Sequence, residues 1–149
     1  MEVLAILKKN ARPVYTVSTD QTVEDAINVM TDKKVSALVV TQENQPVGIF
    51  TERDVFRSYL RDKTATPSKT KLESAMTNKL IVADPNEDIS VLVALMIKSD
   101  IKHLPVIENK KIIGLLSIND LIEHQIDSLT DEIHQLKEYI NDLHEAGQD

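Results

Sequence analysis

One pattern of residues occurs twice in this chain, 66 positions apart and without a gap. Val14–Phe56 can be laid on Leu80–Ile122. Val23, Ala26, Ile27 and Met30 then fall on Ile89, Leu92, Val93 and Met96, and Leu38 and Val40 on Leu104 and Val106. Gly48, Thr51 and Asp54 fall on Gly114, Ser117 and Asp120. A short repeated unit often cannot bury its apolar face alone, so neighbouring copies pack together. Whatever one copy folds into, the other must also adopt, and the two must share an apolar interface.

Each copy reads as helix, strand, strand, helix. In the first, Thr22 and Asp25 have capping-box spacing, and Val23, Ala26, Ile27 and Met30 line one face of a short helix. Ala37–Thr41 is an apolar run suited to a buried strand, Gln42–Gln45 a polar turn, Val47–Phe50 the next strand, and Glu52–Leu60 a helix. The second copy repeats this with Ile89–Lys98, His103–Ile107, a turn at Glu108–Lys110, Ile112–Leu116, and a helix from Asn119. Val14–Val17 and Leu80–Ala83 read as short lead-in strands. A hairpin with two helices is marginal alone, so two αβ lobes joined across their apolar strands are expected. The expected organisation is residues 1–60 as first repeat with an N-terminal segment, 61–73 as linker, 74–122 as second repeat, and 123–149 as a helical tail.

Charge separates the tail from the body. Residues 1–122 carry 16 acidic and 16 basic side chains, whereas residues 123–149 carry 8 acids and Lys137, which accounts for the whole net charge of -7. A neutral body with an acidic tail lacks the basic stripe of a nucleic-acid binder. Without cysteine there is no disulfide frame or thiolate chemistry. The opening MEVLAILKKN lacks the layout of a signal peptide, and no run approaches the ~20 apolar residues of a membrane helix. The expected compartment is the cytoplasm.

In the tail, Ile126, Ile133 and Ile140 occupy heptad position a, and Ile122, Leu129, Leu136 and Leu143 occupy d. Ile at a with Leu at d favours a parallel two-stranded coil, with Glu132 at g facing Lys137 at e of a partner. A helix folded back on its own body is the alternative. His124, His134 and His144 lack convergent metal spacing, and no metal site is expected. Nothing supplies an acid–base pair or nucleophile for catalysis, so no catalytic residue is assigned.

The sharpest local constellation is GIFTERD at 48–54 and GLLSIND at 114–120. Thr51 and Ser117 are placed to cap a helix, with Asp54 and Asp120 closing the capping box from N3. The same geometry suits a ligand: N–H groups and a hydroxyl at a helix start receive phosphate, and a carboxylate one turn in accepts bonds from a ribose diol. Local chemistry leaves both readings open.

The motifs TVEDAINVMTDKKVSALVV with PVGIFTERD, and DISVLVALMIKSDIKHLPVI with KIIGLLSINDL, resemble a tandem pair of cystathionine-beta-synthase-type (CBS) domains, or Bateman module, over about residues 8–122. The resemblance implies an α+β fold of two pseudo-symmetric repeats packed through small β-sheets, here with a long C-terminal helix. It implies a non-catalytic regulatory module binding AMP, ADP or ATP, with S-adenosylmethionine or NAD as further candidates, in clefts between the repeats. By position, one cleft uses Ser117 and Asp120, with Lys102 and His103 toward phosphate and Asn10, Tyr15 and Val35 covering the nucleoside. The other uses Thr51 and Asp54 with Ser36 and Ala37, and Met76, Ile81 and Ile101 as the base wall. Because Lys102 and His103 face Ser36 and Ala37 in the alignment, the Asp120 cleft is expected to hold phosphorylated ligands more tightly. A homodimer and a protein target are the implied partners. The competing expectation is a ligand-silent dimerisation or scaffold protein in which both motifs are only caps.

Overall fold

The structure, a computed structural model, describes residues 2–10 and 12–147; residues 148 and 149 of the expected helical tail lie outside the described residues. The first repeat contains β1 (Thr16–Ser18), α2 (Val23–Lys33), β2 (Ala37–Gln42), β3 (Gln45–Thr51) and α3 (Glu52–Arg61), preceded by α1 (Glu2–Asn10). The second contains α5 (Ile89–Ser99), β4 (His103–Glu108), β5 (Lys111–Ser117) and α6 (Ile118–Ala146), preceded by α4 (Leu72–Ala75).

The hairpins are near-copies. β2 and β3 pair antiparallel, as do β4 and β5, and a register shift falls at Val40/Thr41 in one and Val106/Ile107 in the other. Both two-residue turns, Glu43-Asn44 and Asn109-Lys110, place both residues at positive φ, the backbone whose twist matches the flanking strands. β1 adds parallel to β2 over three residues. The expected second lead-in strand shrinks to a single bridge from Ala83 to Val106. Pro85 follows closely, and proline cannot donate to a ladder.

Burial follows the repeat. Val23, Ala26 and Met30 are buried in one core, and Ile89, Leu92 and Met96 in the other, with Leu38, Val40, Leu104 and Val106 fully inaccessible. The lead-in helices cross over. Val3 and Ile6 of α1 lie in the core of the second repeat, whereas Leu72 of α4 lies in the core of the first. The stretch expected as a linker therefore ends in a turn of helix anchored on the first repeat.

The glycines shared by both copies mark where these segments dock. A Cβ on Gly48 would lie 2.6 Å from the carbonyl oxygen of Thr77, and one on Gly114 would lie 2.4 Å from Cδ2 of Leu7. Only a residue without a side chain permits these approaches.

α6 is one continuous helix of 29 residues, about 43 Å long at ~1.5 Å per residue. Its base is tied to α1 by Lys9–Asp127 at 3.5 Å and His124–Glu2 at 3.3 Å. From Ile126 to Gly147 every residue is exposed, so the apolar seam does not fold back on the body. No described helix is long and apolar enough to cross a membrane.

Candidate ligand site between the repeats

Three helices begin with the same hydroxyl–x–x–Asp arrangement, and their surroundings differ. At α2, the Asp25 N–H donates to Thr22 Oγ1 at 3.2 Å and the Thr22 N–H to Asp25 Oδ2 at 3.0 Å, with Asp25 exposed. At α6, the Asp120 N–H donates to Ser117 Oγ and the Ser117 N–H to Asp120 Oδ2, both at 3.1 Å. At α3, the Thr51 N–H and hydroxyl both donate to Asp54 Oδ2, at 3.0 and 3.3 Å. Asp54 and Asp120 are only 4% and 9% exposed. A carboxylate needed only as a cap works equally well in water, as Asp25 does. Burying one costs solvation free energy that its neighbours must offset.

Those neighbours come from the crossed lead-in segments. Arg12, two residues beyond α1, donates from Nη2 to Asp120 Oδ1 at 2.5 Å. Thr77, two residues beyond α4, donates its hydroxyl to Asp54 Oδ1 at 2.9 Å, and Arg57 Nη1 stands 4.0 Å from the same oxygen. Thus each repeat's carboxylate meets the segment that leads into the other repeat. That segment supplies a cation at Asp120 and a neutral hydroxyl at Asp54, where the nearby cation, Arg57, belongs to the carboxylate's own helix.

The centre of the seam is also cross-linked. Ser36 Oγ of the first repeat and His103 Nε2 of the second are 3.1 Å apart. Arg53 Nη1 reaches the carbonyl and carboxylate of Asp100 at 3.1 and 3.0 Å. The first N–H of α3 donates to the Ser36 carbonyl, and that of α6 to the Lys102 carbonyl. Burial pushes the His103 pKa below its ordinary value; Glu52 and Asp120 oppose the shift, while Arg12 and Lys102 add to it. His103 is therefore neutral near pH 7 and supplies a hydrogen bond rather than a charge.

The remaining expected site residues divide by location. His103 faces Ser117, and Ala37 faces Thr51, as register pairs beside the two helix starts. Asn10 ends α1, half-buried, two residues before Arg12. Met76 packs on the first core, where its sulfur stands 3.0 Å from the position of a Cβ on Gly48. Tyr15 and Val35 pack against the first core, with Lys33 Nζ 5.7 Å from the Tyr15 ring centroid. Ile81 and Ile101 pack against the second core, and Lys102 is exposed. A cavity of about 560 Å³ opens between α2 and α3, with Met30, Val35, Ser36, Glu52 and Phe56 among its walls; it does not include Asp54 or Asp120.

Arg12 and Thr77 are the contacts that sequence reasoning missed. Neither lies in a repeated motif, and only their place after the lead-in helices marks them.

The CBS domain family profile matches residues 6–61 and 72–127. The chain belongs to the CBS-domain family. Among its relatives, the mitochondrial CBS domain-containing protein CBSX3 of Arabidopsis thaliana is 37% identical over 128 residues, covering 83% of this chain and 62% of the plant protein. The chain thus spans less than two thirds of that relative's length. A solved protein with CBS domains from Burkholderia ambifaria superposes with a TM-score of 0.76 at 36% identity, covering 83% of this chain and 92% of that one. The CBS domain protein PAE2072 of Pyrobaculum aerophilum, solved in complex with AMP, shares the fold with a TM-score of 0.64 at 21% identity, covering 73% of this chain and 83% of that one. This chain is therefore a CBS pair, with Asp54 and Asp120 at equivalent positions of its two repeats.

Proposed function

We propose that this CBS pair is a non-catalytic sensor of an adenine nucleotide or related adenosyl compound, bound between the repeats. The supporting observation is the burial of Asp54 and Asp120 against the exposure of Asp25 in an otherwise similar cap. Each buried carboxylate, beside a helix start, offers oxygens to a ribose diol, while Ser117 or Thr51 and the helix N–H groups face phosphate. AMP in the Pyrobaculum aerophilum relative makes AMP the first candidate, followed by ADP, ATP, S-adenosylmethionine and NAD.

The output runs through α6. Ser117 and Asp120 are the N-cap and third residue of that helix, so a ligand that changes their bonding acts on the element that leaves the body. Ligand shifts the lobes only by binding one arrangement more tightly than the other. Seven seam side chains, Ile122 to Leu143, are each 40% to 60% exposed. A second copy of the chain, pairing in parallel, would cover them and make the protein a homodimer.

Calorimetric titration with AMP, ADP, ATP and S-adenosylmethionine tests this reading. Saturable binding, lost on Asp120→Ala or Asp54→Ala in protein that remains folded, supports it. No binding by folded protein freed of copurified nucleotide, together with no thermal stabilisation, returns both motifs to capping and favours the scaffold reading.

A further inference from the structure

The two buried carboxylates are neutralised in different ways. Asp54 accepts from the hydroxyl of Thr77, with Arg57 of its own helix 4.0 Å away, while Asp120 accepts directly from the guanidinium of Arg12. Arg12 comes from outside the motif, is 60% exposed along its side chain, and ends on a carboxylate that is 9% exposed. It therefore has one end fixed in the cleft and room in solvent to move. The other cations expected at this cleft are differently disposed: His103 is hydrogen-bonded to Ser36, and Lys102 is exposed.

Resting on the adenosyl-ligand reading above, we propose that Arg12 makes the Asp120 cleft select a phosphorylated ligand over its neutral nucleoside. The guanidinium holds Asp120 Oδ1. A ribose diol competes for that same oxygen, so a neutral nucleoside must weaken an ion pair and gains no replacement for it. A phosphorylated nucleoside brings its own anion. Arg12 turns from the carboxylate to the phosphate, for which its planar fork is well matched, and the diol takes the vacated oxygen. The exchange moves the guanidinium from one anion to another: it offsets the carboxylate before the ligand enters and part of the phosphate charge afterwards. The rest of the phosphate charge falls to the N–H groups at the start of α6 and to solvent, while the diol hydroxyls donate to the carboxylate. Without Arg12, Asp120 is an uncompensated negative charge that repels phosphate and leaves the diol unopposed. At the Asp54 cleft the bonded partner is the Thr77 hydroxyl, and Arg57, from α3 itself, stands 4.0 Å from the same oxygen, beyond hydrogen-bond distance, so no guanidinium bonded to the carboxylate is there to be exchanged.

The test compares AMP with adenosine by calorimetry on the wild-type chain and on Arg12→Ala and Arg12→Lys, after native mass spectrometry has shown each free of copurified nucleotide. The two ligands should respond in opposite directions. Arg12→Ala should weaken AMP at one of two sites by at least about tenfold, the scale of a lost charge-assisted hydrogen bond, while adenosine binds as tightly as before or more so. Arg12→Lys should restore part of the AMP preference through its charge. Equal weakening of both ligands assigns Arg12 a purely structural role and overturns the proposal, as does an unchanged AMP-to-adenosine ratio. If the wild-type chain binds neither, the adenosyl reading itself fails and this inference falls with it.

Discussion

Replacing Gly114 by alanine examines the packing that brings Arg12 to the cleft. The new Cβ would stand 2.4, 2.8 and 3.1 Å from Cδ2, Cδ1 and Cγ of Leu7. Ordinary carbon contacts lie at roughly 3.5–4.0 Å. Because all three branch atoms are crowded, rotating one methyl away does not clear the clash. Leu7 must move outward by about 1 Å, and it sits on α1 between Val3 and Ile6 on one side and Arg12 on the other. Overpacking of this kind costs about 1–3 kcal/mol, while glycine to alanine returns roughly 0.4–1 kcal/mol by restricting the unfolded chain. The net loss should be about 1.3 kcal/mol from the midpoints of these ranges and at most about 2.6 kcal/mol, or roughly 3–5 °C in Tm at the midpoint for a domain of this size.

The assay is urea unfolding of the wild type, Gly114→Ala, Leu7→Ala and the double variant. Leu7→Ala removes the crowded atoms, so the double variant should be more stable than the two single losses summed, by about 1 kcal/mol. Additive losses would refute the docking of α1 against β5. The same cycle bears on the cleft, since α1 leads directly to Arg12: Gly114→Ala should weaken any AMP binding at Asp120 without touching that carboxylate.

Gly48→Ala should destabilise more than Gly114→Ala. Its Cβ meets the backbone oxygen of Thr77 at 2.6 Å, and that oxygen is held by the Ile49 N–H at 3.0 Å, so no side chain can swing aside; an equal or smaller loss of Tm argues against this pairing. His103 makes stability depend on pH: burial lowers its pKa from 6.5 in the folded state, so the unfolded chain binds more protons between the folded value and 6.5. Stability should then fall as pH drops from about 7 through the folded pKa, and His103→Gln, followed by urea melts across that range, should flatten this part of the profile. Asp25→Ala should cost about 1 kcal/mol as a lost cap and leave adenosyl-ligand titrations unchanged, whereas a binding defect would detach the burial of Asp54 and Asp120 from their proposed role. The chain has no cysteine, so Leu143→Cys provides a single crosslinking site: parallel pairing of α6 brings the two thiols into one layer and gives an oxidised dimer. Antiparallel pairing of the Ile122–Leu143 seam separates them by about 32 Å, and a monomer on mild oxidation, with dimer mass retained in solution, would exclude the parallel arrangement.

Much of this protein was written locally. The repeat, the helix starts at Thr22, Thr51 and Ser117, the polar turns and the 4-3 spacing of the tail depend on residues within one or two turns of each other, where periodicity and hydrogen-bonding chemistry leave few choices. Even the pairing of buried positions, Met30 with Met96 and Leu38 with Leu104, follows from that spacing. Lead-in strands were less legible, since three residues of β1 and the single bridge at Ala83 depend on a neighbouring strand edge rather than on their own pattern.

Tertiary structure alone decided which repeat each lead-in helix serves. The apolar residues of α1 fit an apolar surface but do not name it, and it is the bare backbone at Gly114, more than a hundred residues away, that makes room for Leu7. That docking carries Arg12 to Asp120, just as α4 carries Thr77 to Asp54. In the sequence Arg12 is one cation before a proline, with nothing to separate it from a solvated side chain. A capping box can be read from four consecutive residues, whereas a buried charge and its partner become visible only when distant segments meet, because the partner is chosen by packing and not by spacing.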